Sequence, residues 1–175
     1  TTLFRSIMFP LLTTGHYAGG KWEMGVIEVV WGGGMLIGGA ILSTFKLKGS
    51  KVVAVNVMYV LLGLTFILSG ALPASWFVGF VLTTAIGGIS LSVFNGCFTA
   101  IVQTEVSPDK LGRVFSLYYS LAVLPSVIGL LFTGLIAEVI GVNISFIISG
   151  CLAILVGILS FGTRNLMQLD KIKNV

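Results

Sequence analysis

The sequence predicts an all-α, polytopic membrane protein, on three observations. No charged side chain occurs in the 53 residues from Val52 to Thr104, and none occurs from Val114 to Ala137. Only 9% of the 175 residues are charged while 56% are apolar, with a mean hydropathy of +1.08. A soluble domain would carry about a quarter charged residues. The few charges gather in short stretches between apolar runs, most densely in EVSPDKLGR, Glu105 to Arg113. Crossing roughly 30 Å of hydrocarbon takes about 20 apolar residues. With no water to satisfy the backbone, such segments must be helices or closed barrels. The runs here are continuous rather than alternating, which excludes a barrel.

Six transmembrane helices are expected, at about residues 2–15, 25–45, 52–71, 76–103, 115–137 and 142–162, making one bundle over 1–163 with a polar tail at 164–175. The first span carries Arg5 and Pro10 and ends in the Gly-rich TGHYAGGKWE, where Tyr17 and Trp22 suit the interfacial aromatic belt. The second contains Glu28 and a run of glycines, and the basic hinge KLKGSK follows it. The third closes in the turn Leu72-Pro73-Ala74-Ser75, and the fourth is long enough to tilt or project. Ser107 before Pro108 reads as an N-cap and first helical position for the fifth, which contains Pro125. The chain opens close to apolar sequence without a basic n-region, so no signal peptide is expected, and it reads as a piece of something longer.

Charge gives the orientation. Alternate connections lie on opposite sides. One side holds Lys46, Lys48, Lys51, Lys110, Arg113, Arg164, Lys171 and Lys173, and the other, leaving Arg5 aside, holds only Lys21. Positive charge accumulates in the cytoplasm, so the 46–51 hinge, the 105–113 loop and the C-terminus are expected there. The net charge of +4 does not indicate a nucleic-acid partner, because the basic residues anchor loops and no aromatics are interleaved with them. The expected surroundings are lipid bilayer.

Several residues stand out against the apolar background. A carboxylate at mid-depth costs about 2.5–3.5 kcal/mol on insertion scales, and Glu28 lies inside the second span. Helical spacing puts Gly32, Met35 and Gly39 on its face, so Glu28 is expected to look toward protein or an aqueous cavity. It reads either as a protonatable or cation-binding group or as an interfacial carboxylate hydrogen-bonded to a neighbouring helix. Small residues mark close helix approach, and Gly32, Gly34, Gly38 and Gly39 fit that role. Arg5 either snorkels to the surface or, in a span that began upstream, sits mid-membrane and needs a partner. His16 reads as a surface turn residue rather than a proton relay.

The fourth span carries a polar stripe, Thr84, Gly88, Ser92, Asn95, Thr99 and Gln103, which lines either a pathway or a helix seam. Asn95 is the hardest to place in hydrocarbon, since its amide needs partners for two donors and an acceptor. Asn56, Gly63 and Gly70 recur every seven residues as a packing seam. Pro125 removes a helical hydrogen bond and kinks the fifth span, and Gly129 leaves room beside it.

No Ser/His/Asp set, HExxH, phosphate loop or metal-ligand spacing is present, so no enzyme activity, metal or cofactor is expected. Cys97 and Cys151 lie far apart inside apolar spans and read as inert buried thiols.

Two stretches carry a family resemblance. GVIEVVWGGGMLIGGAIL, Gly25 to Leu42, resembles the eighth helix of bacterial major facilitator superfamily exporters, with its Glu followed by Gly-Met-Leu-x-Gly-Gly. FNGCFTAIVQTEVSPDKLGRVFSL, Phe94 to Leu117, resembles their tenth helix and following loop, with its Pro-x-x-x-Gly-Arg-Val signature. The branch is that of macrolide-efflux proteins and related drug and siderophore exporters, and the similarity covers nearly the whole chain.

The resemblance implies the C-terminal half of such a fold, helices seven to twelve, in a bacterial inner membrane. It implies proton-coupled export of small hydrophobic or amphipathic molecules by alternating access against an N-terminal six-helix half. In that scheme Glu28 is a protonation or cation-contact group, Arg5 lies within helix seven, and Asn95 and Gln103 line the route. Arg113 with Asp109 or Glu105, beside Gly112, latches the cytoplasmic loop. Two departures weaken the charge-pair pattern: KLKGSK lacks the usual acid, and Leu111 stands where an Arg is common. The rival readings are a six-helix membrane scaffold acting through a partner, or export of a siderophore or lipid on the same fold.

Overall fold

The computed structural model describes the backbone of residues 2–44 and 50–162, and their side chains except at 2–6, 124–138 and 162. Six helices run through the described residues: α1 (Thr2–Gly15), α2 (Lys21–Thr44), α3 (Lys51–Ala71), α4 (Phe77–Glu105), α5 (Leu111–Ile140) and α6 (Val142–Gly162). Four of them, α2, α3, α4 and α6, are long and apolar enough to cross a membrane. With 14 residues, α1 reaches about 21 Å, short of a full crossing, whereas the 29 residues of α4 reach about 44 Å. The side chains of Arg5, Pro125 and Gly129, most of the 46–51 hinge and the C-terminal tail lie outside the described residues.

Caps explain where helix ends differ from expectation. α2 starts four residues before Gly25 because the Glu23 carboxylate reaches back to accept the Gly20 N–H at 2.7 Å, half of a capping box. α3 starts on Ser50, whose hydroxyl accepts the Val53 N–H at 3.3 Å. Ser107 is not the cap of α5. Its carbonyl accepts from Lys110 N at 2.9 Å, closing a turn with Pro108 at the second position that proline favours. The first α-helical bond runs from Val114 N to the Lys110 carbonyl.

Two glycine seams set the packing. α2 and α4 run parallel, and a Cβ on Gly34 would collide with the Ala85 carbonyl, while one on Gly38 would come within 2.7 Å of the Ile89 carbonyl. α3 and α6 run antiparallel, with Gly63 against Gly150 and Gly70 against Asn143. Gly63 and Gly70 of the seven-residue stripe are therefore seated on α6. α3 also packs antiparallel on α4, where Ser69 Oγ meets Thr83 Oγ1 at 2.8 Å.

α1 fills the centre, with Met8, Phe9, Leu12 and Thr13 buried. The Phe9 ring is the hub, lying 5.5 Å from Trp31 on α2, 6.2 Å from Phe66 on α3, 5.7 Å from Phe80 on α4 and 5.4 Å from Phe146 on α6. Interior hydroxyls are satisfied within their own helices. Thr13, Thr65, Thr84 and Ser90 each donate to a carbonyl three or four residues back.

Candidate functional site

Glu28 lies seven residues into α2, about 10 Å from its start. Beside it, between α1 and α2, is a cavity of about 160 Å³ lined by Phe9, Pro10, Thr13, Met24, Gly25, Ile27 and Glu28. The cavity is apolar except at the carboxylate and the Thr13 hydroxyl, and that hydroxyl already donates to the Phe9 carbonyl at 2.7 Å. Among the described residues, Glu28 is thus the ionisable group of this cavity's lining.

The face that Glu28 occupies differs from the packed one. Ile27, Trp31, Gly34 and Gly38 are the buried side of α2. Glu28, Met35 and Gly39 are exposed, and nothing lies within 4 Å of where a Gly32 Cβ would be. Of the four glycines expected to seat a helix, Gly34 and Gly38 meet α4 backbone. A Cβ on Gly39 would make only an ordinary contact with Ser92 Oγ, at 3.7 Å, and one on Gly32 would stand in open space. The four form two faces because 3.6 residues per turn separates adjacent glycines by about 100°.

The polar stripe of α4 divides in the same way. Thr84 and Gly88 are buried, with Gly88 under the Trp31 carbonyl, and Ser92 lies beside Gly38. Asn95 and Gln103 are exposed beyond that seam. Leu42 touches Gly96, so Asn95 lies level with the far end of α2. It is about 20 Å along the axis from Glu28, and the two do not share one site. Glu105, Asp109, Gly112 and Arg113 are all exposed around the 106–110 loop.

Some groups have roles the sequence did not show. Tyr17, expected at the interface, is instead buried. Its hydroxyl donates to the Ser69 carbonyl at 2.7 Å and its ring stacks on Phe80 at 4.7 Å. Burial pushes its pKa up to about 12. His16 is half-buried, with Nε2 2.8 Å from the Leu72 carbonyl. A carbonyl only accepts, so Nε2 carries the proton there. Together these residues strap the α1–α2 loop to the α3–α4 turn. Asn56 is buried on α3, and its Nδ2 has no hydrogen-bond partner among the described residues.

The chain is 35% identical over 163 residues to Macrolide efflux protein A of Streptococcus pyogenes, covering 93% of this chain and 40% of that protein. It matches the macrolide-efflux branch of the major facilitator superfamily. Macrolide efflux protein A of Enterococcus faecalis is likewise 35% identical, over 70% of this chain and 38% of its own length. The uncharacterized MFS-type transporter YfiS of Bacillus subtilis is 36% identical over 46% of this chain and 19% of its own length. The chain thus spans about two fifths of the length of the macrolide-efflux relatives. No family model matches, and no solved structure matches. With its apolar helices, this superfamily match describes a multi-pass membrane protein.

Proposed function

We propose that the chain is the C-terminal six-helix half of a secondary active exporter of small hydrophobic or amphipathic drugs of macrolide type. It lies in a bacterial inner membrane with its C-terminus in the cytoplasm, and it works by proton-coupled alternating access against an N-terminal half. The observation that carries this reading is the match to macrolide efflux proteins along nearly all of the chain.

The geometry supplies parts for the mechanism. Glu28 borders a small apolar cavity, which supports the reading that it is the protonation or cation-contact group. Proton gain at Glu28 would loosen its hold on a cationic substrate group, and proton loss would restore it. Substrates in such folds bind near the midplane between two halves that rock against each other. Asn95 and Gln103 would meet the substrate along the route, and Arg113 with Asp109 or Glu105 would latch the loop at 106–110.

Whole-cell macrolide accumulation, with and without an uncoupler, tests this. Cells carrying the protein should accumulate less drug, and the uncoupler should abolish the difference. Equal accumulation with and without the protein would sink the transport reading. A difference that survives the uncoupler would sink proton coupling.

A further inference from the structure

The cavity beside Glu28 is graded from floor to rim. Phe9, Thr13 and Ile27 of its lining are buried, whereas Gly25 and Glu28 are exposed. Its mouth therefore opens on the unpacked face of α2. At about 160 Å³ it is smaller than the roughly 300–1,000 Å³ of sites that enclose whole drug-sized ligands. It has room for a head group, and the body of any larger ligand stays outside.

What the lining offers a ligand is one-sided. The Thr13 hydroxyl proton is spent on the Phe9 carbonyl at 2.7 Å, and the Met24 N–H on the Gly20 carbonyl at 3.2 Å. Pro10 has no N–H, and the other lining N–H groups lie inside α1 and α2, where the helical ladder uses them. The side chains of Phe9, Met24 and Ile27 bring no donor. Among the described residues, the cavity thus presents acceptors alone, the Glu28 carboxylate and the Thr13 oxygen. An ionised carboxylate accepts at about four lone-pair sites, so it can serve a ligand beside any contact it already makes. A negative, acceptor-only site repels anions and selects a cation that donates. A hard metal ion needs about six oxygen ligands or a retained water shell, which these apolar walls cannot supply. The same walls suit N-alkyl groups.

We infer that this cavity is a head-group subsite for a protonated amine. The amine N–H donates to the Glu28 carboxylate, its N-alkyl groups rest against Phe9, Met24 and Ile27, and the rest of the molecule lies along the open face of α2. A quaternary ammonium carries the same charge without an N–H. The subsite therefore ranks protonated amines above their quaternary counterparts, which charge alone would not separate. The inference deepens the transport reading above and rests on it for the use to which the subsite is put.

The test is equilibrium binding, without any gradient, to membranes holding the full-length protein. The probes are verapamil, a tertiary amine protonated at neutral pH, and N-methylverapamil, its quaternary form. Verapamil should bind saturably and about tenfold more tightly, the worth of one charge-assisted hydrogen bond. Glu28→Gln should weaken verapamil by about tenfold and bring the two probes level. Gly25→Val narrows the cavity at a position where a Cβ meets nothing within 4 Å, so it should fold and weaken both probes. It carries the test should Glu28→Gln fail to fold. Equal binding of the two cations by the unaltered protein, or no saturable verapamil binding, overturns the subsite. So does verapamil binding unchanged in Glu28→Gln, the result expected if Arg5, one turn before Phe9 on α1, claims the carboxylate. Unchanged binding of both probes in Gly25→Val overturns it as well. A Glu28-dependent preference for the amine without uncoupler-sensitive macrolide efflux would sink the transport reading and keep the subsite, and the reverse would sink the subsite alone.

Discussion

The two faces of α2 are made from similar residues and end in different surroundings. On one, Gly34 and Gly38 lie against the backbone of α4, with Trp31 and Ile27 completing the seal. On the other, Gly32 and Gly33 have nothing within 4 Å of where their Cβ atoms would be, and Val29 and Leu36 are 75% and 78% exposed around Glu28 and Met35. Glycine content alone does not mark a packed face. What distinguishes the two is whether a second backbone arrives close enough to make a methyl group intolerable.

Opposite signs for glycine replacements on the two faces would sharpen this contrast. Gly34→Val puts side-chain atoms into the Ala85 carbonyl, which neither helix can move aside cheaply. We expect a loss of about 3 kcal/mol or failure to assemble, read as loss of a monodisperse, cooperatively melting species in detergent. The next largest effect falls on the open face. Glu28→Gln should leave the melting temperature within about 2 °C while removing energised macrolide efflux. Retained efflux with unchanged pH dependence would strip Glu28 of its coupling role.

A smaller effect tests the strap that extends the sealed side beyond the helices. Tyr17→Phe removes the hydroxyl bonded to the Ser69 carbonyl and should cost about 1 kcal/mol. Because the folded-state pKa of Tyr17 is raised, folding favours the protonated phenol. Its contribution is fully present below the ordinary tyrosine pKa of 10.0 and is lost as pH rises through about 12. Tyr17→Phe should therefore flatten the alkaline loss of stability over that range, as followed by thermal melts. Smallest, Gly32→Ala should stabilise by about 0.5–1 kcal/mol, since a helical glycine gains rigidity from a methyl group that meets nothing. A clear loss there would show that the open face is occupied.

What was legible in the sequence followed from local chemistry. Uncharged runs disclosed the helices, and Glu28 was visible because a carboxylate interrupts an apolar run. The start of α2 was missed because its cap, Gly20 with Glu23, lies before the apolar run begins. Ser107-Pro108 was misplaced because the same pair suits a turn as well as a helix start. The groups that organise the interior were less visible. Phe9 is one of 12 phenylalanines in the sequence, and only contacts from four other helices make it a hub. Tyr17 and Ser69 stand 52 residues apart, and ring contacts from Tyr59 through Phe94 and Phe98 to Tyr118 join three helices. Ring and carbonyl partners at that separation leave no periodic trace in the chain. The stripe on α4 read as one feature because its spacing is regular, but α2 covers only its first part.

The hydroxyls that bond back to their own helices bear on how this protein is made. Thr13, Thr65, Thr84 and Ser90 satisfy their protons without help from a neighbour, so these hydroxyls can leave the insertion machinery already saturated. Side-by-side assembly then waits on fit rather than on rescue of stranded polar groups. Asn56, whose Nδ2 has no partner among the described residues, is an exception, and α3 is a segment that carries an unsatisfied amide into the bilayer.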